Sequence, residues 1–144
     1  MAIYFYRVNE PFGEFSNFAK FEFEANGKQW PTSEHYFQAQ KFAGTPYEER
    51  VRLAKSARDA ANLGRERSFP LRTDWEEVKD EVMREALRHK FSAYPALVKL
   101  LLSTGEEQLI EKTSDDHYWG CGSSGEGKNM LGVLLMELRS ELRG

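Results

Sequence analysis

The chain holds one cysteine, Cys121, three histidines and no apolar run approaching the ~20 residues of a membrane span. A lone cysteine excludes a disulfide framework and a multi-cysteine zinc site. His35, His89 and His117 are scattered, and without an HExxH or CxxC pattern no metal-ligand spacing exists. The first residues, MAIYFYRVNE, lack the basic region and long apolar stretch of a signal peptide. Internal repeats, low-complexity tracts and Pro- or Ser-rich linkers are also missing. What remains is 144 residues, 40% hydrophobic and 13% aromatic, a composition that argues against disorder. That length is about one domain, and it can bury roughly 68–70% of its unfolded surface. The expectation is a soluble, cytoplasmic single domain over residues 1–144, with no metal, no cofactor and no membrane partner. Its oligomeric state is not legible.

The formal charge of −3 is spread unevenly. Residues 50–72 carry seven basic side chains (Arg50, Arg52, Lys55, Arg58, Arg65, Arg67, Arg72) against Asp59 and Glu66, while both flanking segments are acidic. A basic block inside an acidic chain can face a phosphate-bearing ligand or nucleic acid. The plainer reading places these arginines on solvated helix faces, paired with neighbouring carboxylates.

Residues 3–8 suit a short strand, and Phe21 and Phe23 alternate with Glu22 and Glu24 as a half-buried strand requires. Asn26-Gly27 signals a hairpin turn, with a return strand over 28–30 closed by Pro31. Thr32 or Ser33 opens a helix that stops before Gly44. Thr45-Pro46-Tyr47-Glu48 reads as a capping box with proline at the first helical position, so a helix runs to about Lys55. A short helix ends at Gly64, and the longest runs from Thr73-Asp74-Trp75-Glu76 to about Phe91, with Trp75, Val78, Val82, Ala86 and Lys90 at helical spacing. Another spans about 95–103, a strand is placed at 108–113, and Asn129 caps a final helix. The fold class is mainly α (α+β), with a few short N-terminal antiparallel strands; strands that do not alternate with helices disfavour a doubly wound sheet.

Chemistry concentrates in two places. Projected at ~100° per residue, Glu34, Gln38 and Lys41 fall in one stripe about 60° wide, with His35, Tyr36, Ala39, Phe42 and Ala43 opposite. A carboxylate, an amide and an amine on one face, flanked by Phe37, could floor a polar pocket; singly, each is also an ordinary helix residue, and His35 suits a satisfied core position. The second place is the loop SDDHYWGCGSSGEGKNMLG, where Asp115, Asp116, His117, Tyr118 and Trp119 precede a run of glycines. Glycines let backbone approach a ligand closely, and the amides opening the last helix could bind an anion. The alternative is a tight surface turn anchored by Trp119. Gly122 to Lys128 fits the start of a phosphate-binding P-loop, but Asn129 replaces the magnesium-holding Ser or Thr and no buried strand leads in, so that motif is set aside. Cys121 reads as a small side chain in a tight loop.

The segments FGEFSNFAKFEFEANGKQWPTSEHYFQAQKF, RTDWEEVKDEVMREALRHKF, LLLSTGEEQLIEKTSDDHYWGCG and GKNMLGVLLMELR together resemble the NADAR family, including its YbiA-like N-glycosidases. The resemblance runs from about Tyr4 to Arg139, with SNF, SEHYFQAQKF, DxxWG and GxNxLG in the family's order. It implies hydrolysis of an N-glycosidic bond between a ribose carbon and a base-like amine. Two substrate classes follow: phosphoribosylamino-pyrimidine intermediates of riboflavin biosynthesis, and ADP-ribose on guanine in nucleic acid. A third reading, of another class, is a non-catalytic module binding ADP-ribose or nucleotide. The family's glutamate and lysine fall on Glu34 and Lys41, its long-helix tryptophan on Trp75, and its DxxWG aspartate and tryptophan on Asp116 and Trp119. The candidate catalytic residues are therefore Glu34, Lys41 and Asp116, and the candidate substrate-binding residues Asn17, Gln38, Trp75, Trp119, Gly120, Asn129 and Gly132. On this reading Glu34 is the acid/base or cation-stabilising carboxylate, while Lys41 orients the ribose or attacks its anomeric carbon through a Schiff base. Asp116 meets sugar hydroxyls, and Trp119, with Trp75, stacks on the base. The partner is a small phosphoribosyl or ADP-ribosyl substrate, with nucleic acid entering as a modified substrate.

Overall fold

Six helices and four short strands form, the mainly helical α+β class the sequence implies, in a computed structural model that describes residues 1–144. The chain divides into two units: a central one, Lys20–Lys90, and a terminal one, Met1–Ala19 with Phe91–Gly144. No helix is long and apolar enough to cross a membrane.

The central unit begins with a hairpin that follows β1 (Ala2–Phe5) in the chain. β2 (Phe23–Ala25) pairs antiparallel with β3 (Lys28–Trp30), Phe23 facing Trp30 in register. Asn26 and Gly27 both hold positive φ, 56° and 76°, which matches the twist of a two-residue hairpin turn. Trp30 closes the turn by donating its indole N–H to the Ala25 carbonyl at 2.9 Å. Pro31 then ends the strand, and Thr32 caps α1 (Ser33–Gln40) by accepting the His35 amide at 3.1 Å. α1 packs on α2 (Pro46–Arg52) and α3 (Ala57–Arg65). Phe23, Trp30, Tyr36, Ala39, Phe42, Val51, Ala60 and Ala86 make this unit's core, Ala86 coming from α4 (Trp75–Ser92). The expected capping box is differently wired. Thr45 donates its hydroxyl back to the Phe42 carbonyl at 2.7 Å and Glu48 accepts the Gly44 amide at 3.0 Å, so both brace the turn between α1 and α2. α2 also stops at Arg52, short of Lys55, as Leu53 leaves helical geometry.

In the terminal unit, β1 (Ala2–Phe5) does not join an antiparallel N-terminal group. It pairs in parallel with β4 (Gln108–Glu111), Ala2 facing Gln108 and Phe5 facing Glu111. A parallel pair needs a long crossover connection instead of a hairpin, and here the whole central unit lies between the two strands in sequence; α6 (Met130–Arg143) covers β4 and also meets α5 (Pro95–Ser103). Leu97, Leu101, Leu109, Leu131, Leu134 and Leu135 are buried within this unit. Arg139 is buried with them, donating to the Thr104 hydroxyl at 2.8 Å and the Glu107 carbonyl at 2.9 Å.

Candidate functional site

All eight residues of α1 are buried, its polar stripe included. Glu34 is 8% exposed, Gln38 6% and the following Lys41 8%. Buried polar groups are costly unless paired, and the pairs define the site. Gln38 Nε2 donates to Glu34 Oε2 at 2.7 Å, fixing one carboxylate oxygen. Gln38 Oε1 has no hydrogen-bond partner and fills the space a side-chain carbon on Gly64 would take. Gly64 lies inside α3, not past its end, and its lack of a Cβ lets α3 meet the Gln38 amide directly. Its carbonyl accepts Lys41 Nζ at 3.4 Å. The same ammonium stands 5.8 Å from the Phe37 ring centroid and 5.9 Å from that of Trp75, two rings that meet edge to face at 5.1 Å.

Lys41 forms no ion pair. Its pKa is lowered to about 8, first by burial and next by Arg67; Glu34 opposes, and Arg65 and Lys79 add smaller repulsions. Roughly a tenth of this amine is therefore neutral at pH 7, against almost none of an ordinary lysine. The structure thus brings Glu34, Gln38, Lys41 and Trp75 together in the central unit. His35, on the other side of α1, is a satisfied core residue. Its Nδ1 meets the Thr32 hydroxyl at 2.8 Å and its Nε2 the Ala54 carbonyl at 3.0 Å, and burial lowers its pKa while that carbonyl raises it.

The basic block separates into neutralised and unneutralised members. Arg52 lies against Glu49 and Arg72 against Asp74, each with a 2.6 Å contact. Glu49, also bonded by Lys28, is held down near pKa 2. Arg67 bonds only carbonyls: Gly64 O at 2.8 Å and Glu66 O at 3.4 Å. Arg65 donates to the Asn62 side chain at 3.3 Å.

In the terminal unit the glycine-rich loop is wired to itself. Asp116 Oδ1 accepts the amides of Tyr118 (3.0 Å) and Trp119 (2.8 Å), a local turn that leaves Oδ2 uncommitted. Thr113 donates to the Asp116 carbonyl at 2.6 Å and accepts the Gly122 amide at 3.0 Å. The amides opening α6 do not await an anion. Met130 N donates to the Tyr118 carbonyl (2.9 Å) and Leu131 N to that of Trp119 (3.0 Å), so the loop itself caps the helix. Asn129 sits at the cap position without a capping bond; with φ 54°, it turns its amide to β4 instead. There it accepts the Glu111 amide and donates to the Leu109 carbonyl, both at 2.9 Å. Gly120 and Gly132 are glycines for packing: a Cβ would strike Thr113 at the first, and the Leu109 carbonyl and Asn129 amide at the second. Trp119 is half-buried, edge to face with Tyr118 at 4.9 Å. Cys121 is buried, its thiol 3.5 Å from the Gly122 carbonyl. Asn17 is buried in the turn after a 3-10 segment at Gly13–Phe15. No three His, Cys, Asp or Glu side chains are grouped to hold a metal ion. In the sequence Gly64 signals only the end of a helix; its contact with the Gln38 amide leaves no local pattern.

Compared with known proteins, residues 4–143 match the family described as NADAR domain. N-glycosidase YbiA of Escherichia coli is 54% identical over 140 residues, covering 97% of this chain and 88% of that protein. The chloroplastic riboflavin biosynthesis protein PYRR of Zea mays is 46% identical over 99% of this chain, which corresponds to 25% of the longer plant protein. The NMR structure of E. coli YbiA superposes with a TM-score of 0.91 at 52% identity, covering 99% of this chain and 85% of that one.

Proposed function

The chain belongs to the NADAR family, and from that premise we propose that it is an N-glycosidase hydrolysing the ribosyl C–N bond of phosphoribosylamino-pyrimidine intermediates of riboflavin biosynthesis. The observation that carries the reading is Lys41. It is a buried amine with a pKa near 8, two turns from a buried carboxylate on the same helix face. Relatives named as N-glycosidases and as a riboflavin biosynthesis protein support the reaction and the substrate class.

A ribosylamine opens readily, its nitrogen lone pair expelling the ring oxygen to leave an iminium at the anomeric carbon. Neutral Lys41 adds to that carbon, and the aminopyrimidine nitrogen departs with a proton, leaving a lysine Schiff base. Water then adds and expels the lysine, so one water is consumed and ribose aldehyde and free amine are released. Glu34 stabilises cationic character at the anomeric carbon and moves the protons. Gln38 holds Glu34 in place. Burial beside Trp75 and Phe37 strips water from the amine and favours its neutral form, against the weaker cation–π pull of the two rings. For Asp116 a sugar contact through Oδ2, and for Trp119 a base contact, stay as proposed roles. Asn17, Asn129, Gly120 and Gly132 are proposed to act by shaping the backbone around them.

The test is mass spectrometry of products from wild type and Glu34→Gln, offered a phosphoribosylamino-pyrimidine and, separately, an oligonucleotide bearing ADP-ribosyl-guanine. Release of ribose 5-phosphate from the first, lost in the variant, supports the reading, and borohydride should trap a ribosyl adduct on Lys41. Release of ADP-ribose from the second moves the substrate to modified nucleic acid. Cleavage of neither by folded protein leaves a binding module.

A further inference from the structure

We infer that Arg67 is the phosphoryl-binding residue of the Lys41 site, receiving the 5-phosphate of a ribose whose anomeric carbon lies against Lys41. This rests on the reading of Lys41 given above, and three observations carry it. First, Lys41 Nζ and Arg67 Nη1 donate to one and the same oxygen, the Gly64 carbonyl, at 3.4 and 2.8 Å. Two cations are therefore no farther apart than those two contacts laid end to end, with a neutral acceptor between them and an ion-pair partner for neither. Like charges so close favour an anion beside them, and a guanidinium fork is the donor suited to phosphate.

Second, Arg67 is an unneutralised member of its block, and the member that shares a carbonyl with Lys41. Arg52 and Arg72 are occupied by Glu49 and Asp74. The nearest carboxylate in sequence, Glu66, accepts the backbone amides of Arg67 and Ser68 rather than the guanidinium. Arg67 is exposed, fixed at one nitrogen by the Gly64 carbonyl and open elsewhere. Third, the α6 N-terminus, the other place a phosphate could go, has its Met130 and Leu131 amides taken by loop carbonyls. The charged groups bearing on Lys41 are Glu34, Arg65, Arg67 and Lys79, three of the four cationic. A ribose spans only a few bonds from its anomeric carbon to its 5-oxygen, a reach that suits the separation of the two cations.

The experiment is calorimetric titration of wild type, Arg67→Gln and Arg67→Lys with inorganic phosphate, ribose, ribose 5-phosphate and ADP-ribose. Wild type should bind inorganic phosphate in competition with ribose 5-phosphate. Arg67→Gln should weaken both about 10- to 100-fold, with ribose unchanged and Arg67→Lys between. In wild type, phosphate should also raise the Lys41 pKa above about 8, read by NMR of methylated lysine. An Arg67 dependence confined to ADP-ribose identifies a diphosphate as the group received. Equal phosphate binding by wild type and Arg67→Gln, or none by folded wild type, overturns the inference. These titrations need no turnover. Arg67-dependent phosphate binding without glycosidase activity would leave this subsite standing and remove only the proposed reaction.

Discussion

Replacing Lys41 by methionine should make the protein more stable and inactive. The substitution keeps the unbranched stem that packs by Phe37 and Trp75 and deletes a buried charge with no ion-pair partner. Holding this amine at a pKa of about 8 rather than 10.5 corresponds to about 3 kcal/mol by the relation between pKa and free energy. That figure is an upper bound on the gain, because Glu34 loses a favourable cation and the 3.4 Å bond to Gly64 disappears. A net gain of about 1–3 kcal/mol follows, or roughly 3–10 °C in Tm for a chain of this size.

The pH dependence separates this from a generic packing gain. Between pH 8 and 10.5 the unfolded wild type binds a proton at this lysine that the folded form has released, so its stability rises with pH across that window. The penalty is fully present below pH 8 and gone above 10.5. The advantage of Lys41→Met should therefore be constant at neutral pH and close over that interval. Denaturant unfolding of both proteins from pH 6 to 10.5 reads it directly. A methionine variant less stable than wild type at pH 7, or a gap that ignores pH, would refute the account of Lys41 as a buried, strained cation.

Four further outcomes are expected. The kcat/KM of wild type should rise with pH through about 8 as Lys41 loses its proton; Arg67→Gln should move that limb upward, since Arg67 is a lowering influence. Glu34→Gln should reduce kcat about 10²- to 10⁴-fold in a folded protein, a loss measurable by product release. Gly64→Ala should displace the Gln38 amide from its place beside Glu34, lowering kcat, and adding Gln38→Ala should recover stability but not activity. Asn129→Ala removes both bonds to β4, leaves the Glu111 amide and Leu109 carbonyl unsatisfied, and should destabilise by about 2–4 kcal/mol in chemical unfolding.

The helices were readable where their boundaries rest on local chemistry: Thr32 before α1, Pro46 opening α2 and Pro95 opening α5 are fixed by nearby backbone needs. The Asn26-Gly27 hairpin was legible for the same reason. β1 was legible as a strand but its pairing was not, since a parallel partner more than a hundred residues away leaves no local mark. The stripe of Glu34, Gln38 and Lys41 was visible as periodicity, but periodicity says only that three polar groups share a face. It treats that face as solvent-facing by default, and the Arg67 and Gly64 groups that give it meaning come from another helix and the turn after it.

The glycines show where pattern reading misassigns a cause. Close approach to a ligand and close approach to the chain's own backbone make the same demand, the absence of a Cβ, and sequence cannot separate them. Gly120 and Gly132 meet Thr113, Leu109 and Asn129, so their demand is internal. Gly64 meets the demand in a third way. Its missing side chain admits the amide that positions Glu34, and its carbonyl gathers two cations. A residue without a side chain thereby sets both the aim of the carboxylate and the charge around the amine. The chemistry proposed here consequently depends on α3 as much as on α1, and an active variant with a larger residue at position 64 would require Glu34 to be held by something other than Gln38.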